Sequence, residues 1–317
     1  MTPSVGEPRL SQQTDQFRFS LVAESERESI CGALSRGART AANELGITLR
    51  IHGPQASDAG AQAALVREAA RGAPDCILIA PVTPDNLIPL AQEAGDADIP
   101  VITVRAGLEN DAVIAHVGAD DHRDGRLAAR AIVEALGEQG RVLIVGRDPA
   151  NMIAAQRLQG IEAVFSAYSG IDLVGTDEIG EDQLLTAEQM VSTFEERPDL
   201  AGVMTLTRSA FDASTEAVAT AGMQGSVWLI GFGADPTQVD ALRDDLVNSL
   251  VIPHSFAMGE VAVRLAHEYL ISGDAPVPNR VWINSSVMTR DSIDDPVFEI
   301  ELDAAMCAEV PGSPSGE

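Results

Sequence analysis

The chain has 317 residues, of which 45% are hydrophobic, and carries 21 basic against 48 acidic side chains, a net charge of −27. Because such a surface repels nucleic-acid phosphates, direct binding of nucleic acid is unfavourable. The length accommodates two domains, and no apolar stretch approaches the roughly 20 residues that a membrane span requires, so a soluble protein is predicted.

The predicted elements form two blocks with the same order. The first block runs through TLRIHG, AQAALVREAARG, DCILIAP, DNLIPLAQEAG and IPVITV. The second block runs through DLVGTDEIG, LLTAEQMVSTFEERPD, LAGVMTLT, SAFDASTEAVATAG and SVWLIGFG. An offset of about 126 residues relates the two blocks, as expected for a duplicated design. The repeat therefore predicts two similar lobes with a cleft between them.

The apolar runs alternate with helical segments, which is typical of βαβ units. Their aliphatic residues alternate little with polar ones, as expected when helices cover both faces of a parallel sheet. Right-handed crossovers then give a Rossmann-like, doubly wound sheet in each lobe. The predicted fold class is α/β.

Motifs of common cofactor sites and catalytic sites are absent from the sequence. Neither G-x-G-x-x-G nor G-x-x-x-x-G-K-[ST] follows the first strand, and H-E-x-x-H and G-x-S-x-G do not occur. Three scattered cysteines indicate neither a disulfide framework nor a zinc ribbon. We expect no cofactor and no metal, and an enzyme is the least favoured function.

The loop after the first strand is the first candidate binding segment, because ligands of open α/β sheets lie beyond the carboxyl ends of the strands. This loop contributes Glu24 and Glu28, and Ile30 and Cys31 begin the helix that follows. Both carboxylates could equally be solvated loop residues in so acidic a chain. Nothing nearby in sequence would activate Cys31 as a nucleophile.

Several longer segments carry a family resemblance, among them GARTAANELGITLRI, VGADDHRDGRLAARAIVEAL, AQRLQGIEA and VWINSSVMTRDSID. In these segments the chain resembles the type I periplasmic sugar-binding proteins, close to the ribose-binding group, whose fold is shared by the ligand domains of LacI-type repressors. The resemblance spans the chain from about Phe17 to Asp294.

The resemblance implies a three-stranded hinge, with crossovers near Asp120, Pro253 and Asn284. The implied division is an extension (1–16), an N-terminal lobe (17–120 plus 254–284), a C-terminal lobe (121–253 plus 285–303) and a tail (304–317). The extension and the end of the tail are expected to be disordered.

Ligand positions can be carried over from the family one at a time. They fall on Glu24, Glu28, Ile30, Cys31, Arg105, Asp120, Arg157, Thr207, Gly233 and His254. Ile30 and Cys31 stand where the family has aromatic residues, and Gly233, where it has an aspartate, can contribute only space. Arg105 could instead brace the lobes through an ion pair, and Asp120 could be structural at the first crossover.

The residues that replace the family's usual ligand contacts affect which ligand the site can bind. A sugar site combines hydrogen bonds to hydroxyls with an aromatic face against the ring, and each missing partner costs roughly 1 kcal/mol or more. Only Arg105 and Arg157 remain convincing matches. A polyol, a modified sugar or an amine-bearing ligand is therefore as reasonable an expectation as an ordinary pentose or hexose.

The predicted function is that of a non-enzymatic solute-binding protein. It would close on a small polar ligand by a hinge motion and present it to the membrane permease of an ABC-type transporter. The alternative is a ligand-sensing regulatory domain that lacks a DNA-binding head. The first 16 residues contain no recognisable secretory signal, so we expect a periplasmic or extracellular location if a leader has been removed, and a cytoplasmic one otherwise.

Overall fold

The computed structural model describes residues 17–27, 32–147, 151–178, 186–273 and 276–302. The predicted extension (1–16) and tail (304–317) lie outside the described residues, as do Glu28, Ile30 and Cys31. The described residues form twelve strands: β1 (Arg18–Val22), β2 (Thr48–His52), β3 (Cys76–Ile79), β4 (Val101–Val104), β5 (Val113–Gly118), β6 (Gly140–Arg147), β7 (Ile171–Glu178), β8 (Leu200–Thr205), β9 (Trp228–Phe232), β10 (Ser249–Pro253), β11 (Arg280–Trp282) and β12 (Ser285–Thr289).

The same residues form helices that alternate with the strands. Ten are α-helical: α1 (Ala33–Leu45), α2 (Ala59–Arg71), α3 (Ile88–Asp96), α4 (Asp121–Ala135), α5 (Met152–Phe165), α6 (Ala187–Glu196), α7 (Arg208–Ala221), α8 (Pro236–Arg243), α9 (Ser255–Ile271) and α10 (Pro296–Leu302). Two short 3-10 turns cover Pro84–Asn86 and Arg290–Ser292.

Two six-stranded sheets organise the molecule. The first has the strand order β11-β5-β4-β3-β1-β2 and is parallel throughout. The second has the order β12-β10-β9-β8-β6-β7 and is parallel except for β12, which is antiparallel to β10. Strands such as β3 and β4 are buried at every residue because helices cover both faces. The α/β, doubly wound prediction is confirmed.

The chain passes between the two sheets three times. After β5 it forms α4, which packs against the second sheet, and after β10 it forms α9, which packs against the first. Between β11 and β12 it crosses directly from one sheet to the other. The three crossovers predicted near Asp120, Pro253 and Asn284 correspond to these three passages. The residue boundaries of the two lobes, the extension and the tail stay predictions.

Each lobe contains one closely packed helix pair, α1 with α9 in the first and α4 with α5 in the second. Both pairs depend on glycine at the contact. A side-chain carbon at Gly37 of α1 would overlap the carbonyl oxygen of Phe256, and one at Gly125 of α4 would overlap the carbonyl oxygen of Arg157. The equivalence of the two contacts extends the internal repeat to the packing of the helices.

The last helix, α10, contacts both lobes. Phe298 is buried in the core of the second lobe. In the opposite direction, Arg36 of α1 donates a hydrogen bond to the carbonyl oxygen of Ile300, and the backbone N–H of Phe256 donates to the Glu301 carboxylate at 3.1 Å. Besides the three crossovers, α10 therefore links the lobes through non-covalent contacts.

Candidate ligand site at the cleft between the lobes

The carboxyl ends of the parallel strands define the cleft. The chain leaves the first sheet from the carboxyl ends of β5 and β11 and leaves the second from the carboxyl end of β10. Because strands of a parallel sheet end at the same edge, these passages turn the carboxyl edges of both sheets towards each other. Loops at such edges are where ligands bind in α/β folds.

Arg105 and Glu24 meet on the first-lobe wall of this cleft. Arg105 follows β4 and Glu24 lies in the loop after β1, and Nη1 of Arg105 is 3.4 Å from Oε2 of Glu24. Both side chains are partly exposed. Arg105 has φ of 67°, a left-handed conformation that is costly for a residue with a side chain. Its backbone N–H donates to the carbonyl oxygen of Val117, which fixes this geometry against β5.

A buried glutamine shapes the same wall. Nε2 of Gln62 donates to the carbonyl oxygens of Ala23 and Ala80 at 3.0 and 2.7 Å, and its Oε1 accepts from the N–H of Val82 at 2.9 Å. These bonds tie together the segments that follow β1 and β3. No local sequence pattern indicated a role for Gln62, because a glutamine in an amphipathic helix is expected to face solvent.

Arg157 is the centre of the second-lobe wall. Its Nε donates to Oδ1 of Asp121 at 3.0 Å and its Nη1 to the carbonyl oxygen of Leu206 at 3.2 Å. The guanidinium carbon lies 4.2 Å from the ring centroid of Phe232, a cation–π contact. Burial lowers the pKa of Arg157 and raises the pKa of Asp121, although the attraction between the two opposes both changes. Arg157 thus joins α4, α5, β8 and β9 at the cleft.

Thr207 and Gly233 lie on neighbouring loops of the second lobe. Oγ1 of Thr207 accepts from the N–H of Ala210 and caps α7. Gly233 has φ of 114°, and a side-chain carbon there would lie 2.5 Å from Oε1 of Gln238. Buried Gln238 donates to the carbonyl oxygen of Phe232 at 2.9 Å and accepts from the N–H of Asp235. Gln238 thus holds the loop after β9 through backbone hydrogen bonds, as Gln62 does in the first lobe.

Asp120 and His254 lie at the crossovers. Oδ1 of Asp120 accepts from the N–H of Arg123 at 3.0 Å and caps α4. Nε2 of His254 is 2.9 Å from the Ser286 hydroxyl, and its ring stacks on Phe298. Both side chains therefore have structural partners at the hinge, and their predicted contact with ligand stays a prediction.

A buried carboxylate also lies at the hinge. Asp124 of α4 accepts a hydrogen bond from the Ser285 hydroxyl at 2.8 Å and is 3% exposed. Burial raises its pKa to about 6, against the opposing effect of the hydrogen bond from Ser285. No sequence pattern indicated this residue, because it is one of 48 acidic side chains.

Two apolar side chains are exposed at the start of α5. Met152 is 70% exposed and Ile153 is 41% exposed. Because α5 follows the carboxyl end of β6, they lie at the cleft edge of the second lobe. They offer an apolar surface in a site whose expected aromatic positions, Ile30 and Cys31, are aliphatic and thiol side chains.

The described residues contain no group of three or more His, Cys, Asp or Glu side chains placed to hold a metal ion. Among their helices, none has the length and apolar character needed to cross a bilayer.

A family model for the periplasmic binding protein domain matches residues 20–274. The chain belongs to this family. It is 26% identical over 237 residues to a D-apiose import binding protein of Paraburkholderia graminis, covering 74% of this chain and 75% of the relative. To the ribose import binding protein of Escherichia coli it is 23% identical, with 80% of this chain and 84% of the relative covered.

Solved structures agree on the fold. An arabinose binding protein from Geobacillus stearothermophilus superposes with a TM-score of 0.80 at 20% identity, over 88% of this chain and 98% of that one. A solute-binding protein from Agrobacterium vitis with bound α-D-tagatopyranose gives 0.75 at 24% identity, over 90% and 99%.

These relatives confirm the family inferred from the sequence. The chain is a non-enzymatic solute-binding protein of the periplasmic binding protein family, and the named import proteins favour transport over the regulatory alternative.

Proposed function

We propose that this protein binds a monosaccharide or polyol between its lobes and delivers it to the permease of an ABC transporter in the periplasm or outside the cell. The import proteins for apiose and ribose, and the tagatose-bound structure, support the ligand class. The departures from the family's sugar contacts favour a polyol or a modified sugar over an ordinary pentose.

One observation carries the proposal: each wall of the cleft has an arginine paired with a carboxylate. Arg105 pairs with Glu24 on the first lobe, and Arg157 pairs with Asp121 on the second. A guanidinium donates several hydrogen bonds in a plane and a carboxylate accepts several, so each pair can serve vicinal hydroxyls, which both donate and accept.

The apolar half of the site would come from the second lobe. Phe232 is the last residue of β9, at its carboxyl end, and Met152 lies at the start of α5. These side chains can contact the C–H surface of a ligand ring or chain, the role that aromatic residues of the first loop would otherwise fill.

A thermal-shift panel of pentoses, hexoses, inositols, linear polyols, amino sugars and small amines tests the ligand class. A ligand that binds only the folded protein raises the melting temperature by mass action. We expect a shift from at least one polyhydroxylated class. A shift from amines alone would refute the sugar or polyol assignment, and no shift across the panel would refute the proposed function.

A further inference from the structure

A groove of about 470 Å³ lies beside α4. Its polar lining comes mainly from one face of α4 and from the first residue of β12: Asp120, Arg123, Asp124, Arg126, Arg130 and Ser285. The volume is in the range of small-molecule sites. None of Glu24, Arg105 and Arg157 lines it.

Three exposed arginines of α4 supply positive charge along this groove. Arg123, Arg126 and Arg130 follow each other at helical spacing, so that all three project along the same side of the helix. Nη1 of Arg123 donates to Oδ1 of Asn284 at 2.6 Å, at the third crossover. Within the part of the chain that the structure describes, Arg126 and Arg130 make no hydrogen bond or ion pair.

Several arginines of the described residues make no ion pair, among them Arg67 and Arg71, so what distinguishes Arg126 and Arg130 is the groove that they line. All 21 basic residues are arginine, and 48 acidic residues compete to pair with them. Arg141 pairs with Asp199 and Asp172, and Arg208 pairs with Asp212 and Asp235. Among the described residues Arg126 and Arg130 instead make no ion pair and line the open groove, although Glu134 lies four residues after Arg130 on the same helix.

The two carboxylates of the groove are already engaged. Asp120 accepts from the N–H of Arg123 as the cap of α4, and Asp124 accepts from the Ser285 hydroxyl. Asp124 is also buried, so it faces the protein more than the groove. Beside these carboxylates the groove presents three guanidinium groups, which donate hydrogen bonds, and the ring of His122.

We propose that this groove binds a small polyvalent oxyanion, a polycarboxylate or a phosphate compound, through Arg126 and Arg130. Guanidinium groups bind carboxylate and phosphate oxygens through paired hydrogen bonds, and two of them four residues apart on a helix can share one ion. Arg123 lies next to them and holds Asn284, so the bound ion sits beside the third crossover. This site neighbours the proposed sugar site, and Asp120, a predicted ligand position, belongs to its lining.

The test is a calorimetric titration of the whole protein with pyrophosphate and with citrate, at constant ionic strength set by sodium chloride. The variant Arg126→Gln/Arg130→Gln removes the two guanidinium groups. Its matched control is Arg67→Gln/Arg71→Gln on α2, which changes another exposed pair of arginines with the same spacing and the same loss of charge.

We expect saturable binding of at least one of the two anions by the wild type and by the control, and at least a tenfold loss of affinity in Arg126→Gln/Arg130→Gln. Melting temperatures without anion verify that both variants fold. Absence of saturable binding by the wild type would overturn the proposal. An equal loss in both variants, or no loss in either, would overturn it as well, because binding would then follow net charge or another surface.

Discussion

Arg105 reaches Glu24 from a left-handed backbone, with 3.4 Å between the guanidinium Nη1 and the carboxylate Oε2 and with φ at 67°. A left-handed conformation costs an L-residue roughly 1–2 kcal/mol, whereas a partly exposed ion pair returns only about 0–1 kcal/mol. The ion pair by itself therefore does not account for the conformation, which the hydrogen bond from the backbone N–H of Arg105 to the carbonyl oxygen of Val117 also supports. We propose that this backbone in addition places the guanidinium where it can contact a ligand.

Replacing Arg105 by glycine separates binding from folding. Arg105→Gly should keep the free energy of unfolding close to wild type, because relief of strain offsets the lost ion pair. Arg105→Ala should be less stable than the glycine variant by about 1 kcal/mol. Both should lose affinity for the ligand found in the thermal-shift panel by at least tenfold. Urea unfolding and titration measure the two effects, and unchanged affinity in both variants would contradict a cleft role for Arg105.

Met152 provides a second test of the cleft. Met152→Ser should weaken ligand binding by about threefold to tenfold, which corresponds to roughly 1 kcal/mol of lost apolar burial. Stability should not change, because the side chain is exposed in the free protein. Ile271→Ser is the matched control, since Ile271 is also exposed but ends α9. Equal affinities of the two variants would remove Met152 from the site.

Asp124 predicts a pH dependence of stability. Burial raises its pKa to about 6, above the ordinary value of an aspartate, so the folded state favours the protonated carboxyl. The contribution of this carboxyl group to the free energy of unfolding is fully present at pH values below the ordinary pKa of an aspartate. It is lost as the pH rises through about 6. Asp124→Asn keeps an acceptor for the Ser285 hydroxyl and removes the ionisation.

We therefore expect Asp124→Asn to gain stability over wild type as the pH rises from about 4 to 7, by up to about 3 kcal/mol. Urea unfolding at several pH values measures the difference. Asp58→Asn, the same substitution at the exposed cap of α2, is the control variant. A difference between Asp124→Asn and wild type that does not vary with pH would contradict the prediction.

The glycines of the helix pairs predict equivalent effects in the two lobes. Gly37→Ala and Gly125→Ala would each force a methyl group into a backbone carbonyl of the partner helix, at a cost of about 1–3 kcal/mol. Gly60→Ala is the control, because its new methyl group would meet no atom closer than 3.4 Å. That variant should gain about 0.5–1 kcal/mol from helix propensity. Thermal unfolding distinguishes the three, and a stable Gly37→Ala or Gly125→Ala variant would show that the helices can separate at little cost.

Much of the fold was predictable because burial and periodicity act locally. CILI of β3 and VITV of β4 are apolar at every position, as strands buried on both faces must be, and both are strands of the first sheet. The direction of β12 was not predictable in this way. It is antiparallel to β10 because the chain enters the second sheet from the hinge, at the edge where its parallel strands end.

The candidate site was predictable only in part. Arg105 and Glu24, 81 residues apart, do meet, and Arg157 does lie at the cleft edge of the second lobe. Its partners Asp121, Leu206 and Phe232 come from three separate elements, which no local pattern connects. Gln62 was missed for the same reason, since its role depends on the carbonyl groups of Ala23 and Ala80, which directly follow β1 and β3.

The sequence by itself determined the two α/β lobes, the cleft between them and the family, because alternating strands, helices and loop ends are fixed by residues near each other in the chain. Only the tertiary structure decided which charges are paired and which are free. Arg157 is held by Asp121, whereas Arg126 and Arg130, in the same lobe, face an open groove. Pairing depends on distances between elements that lie far apart in sequence, because hydrogen bonds form only over a few ångströms and salt screens the attraction between exposed charges beyond about 10 Å.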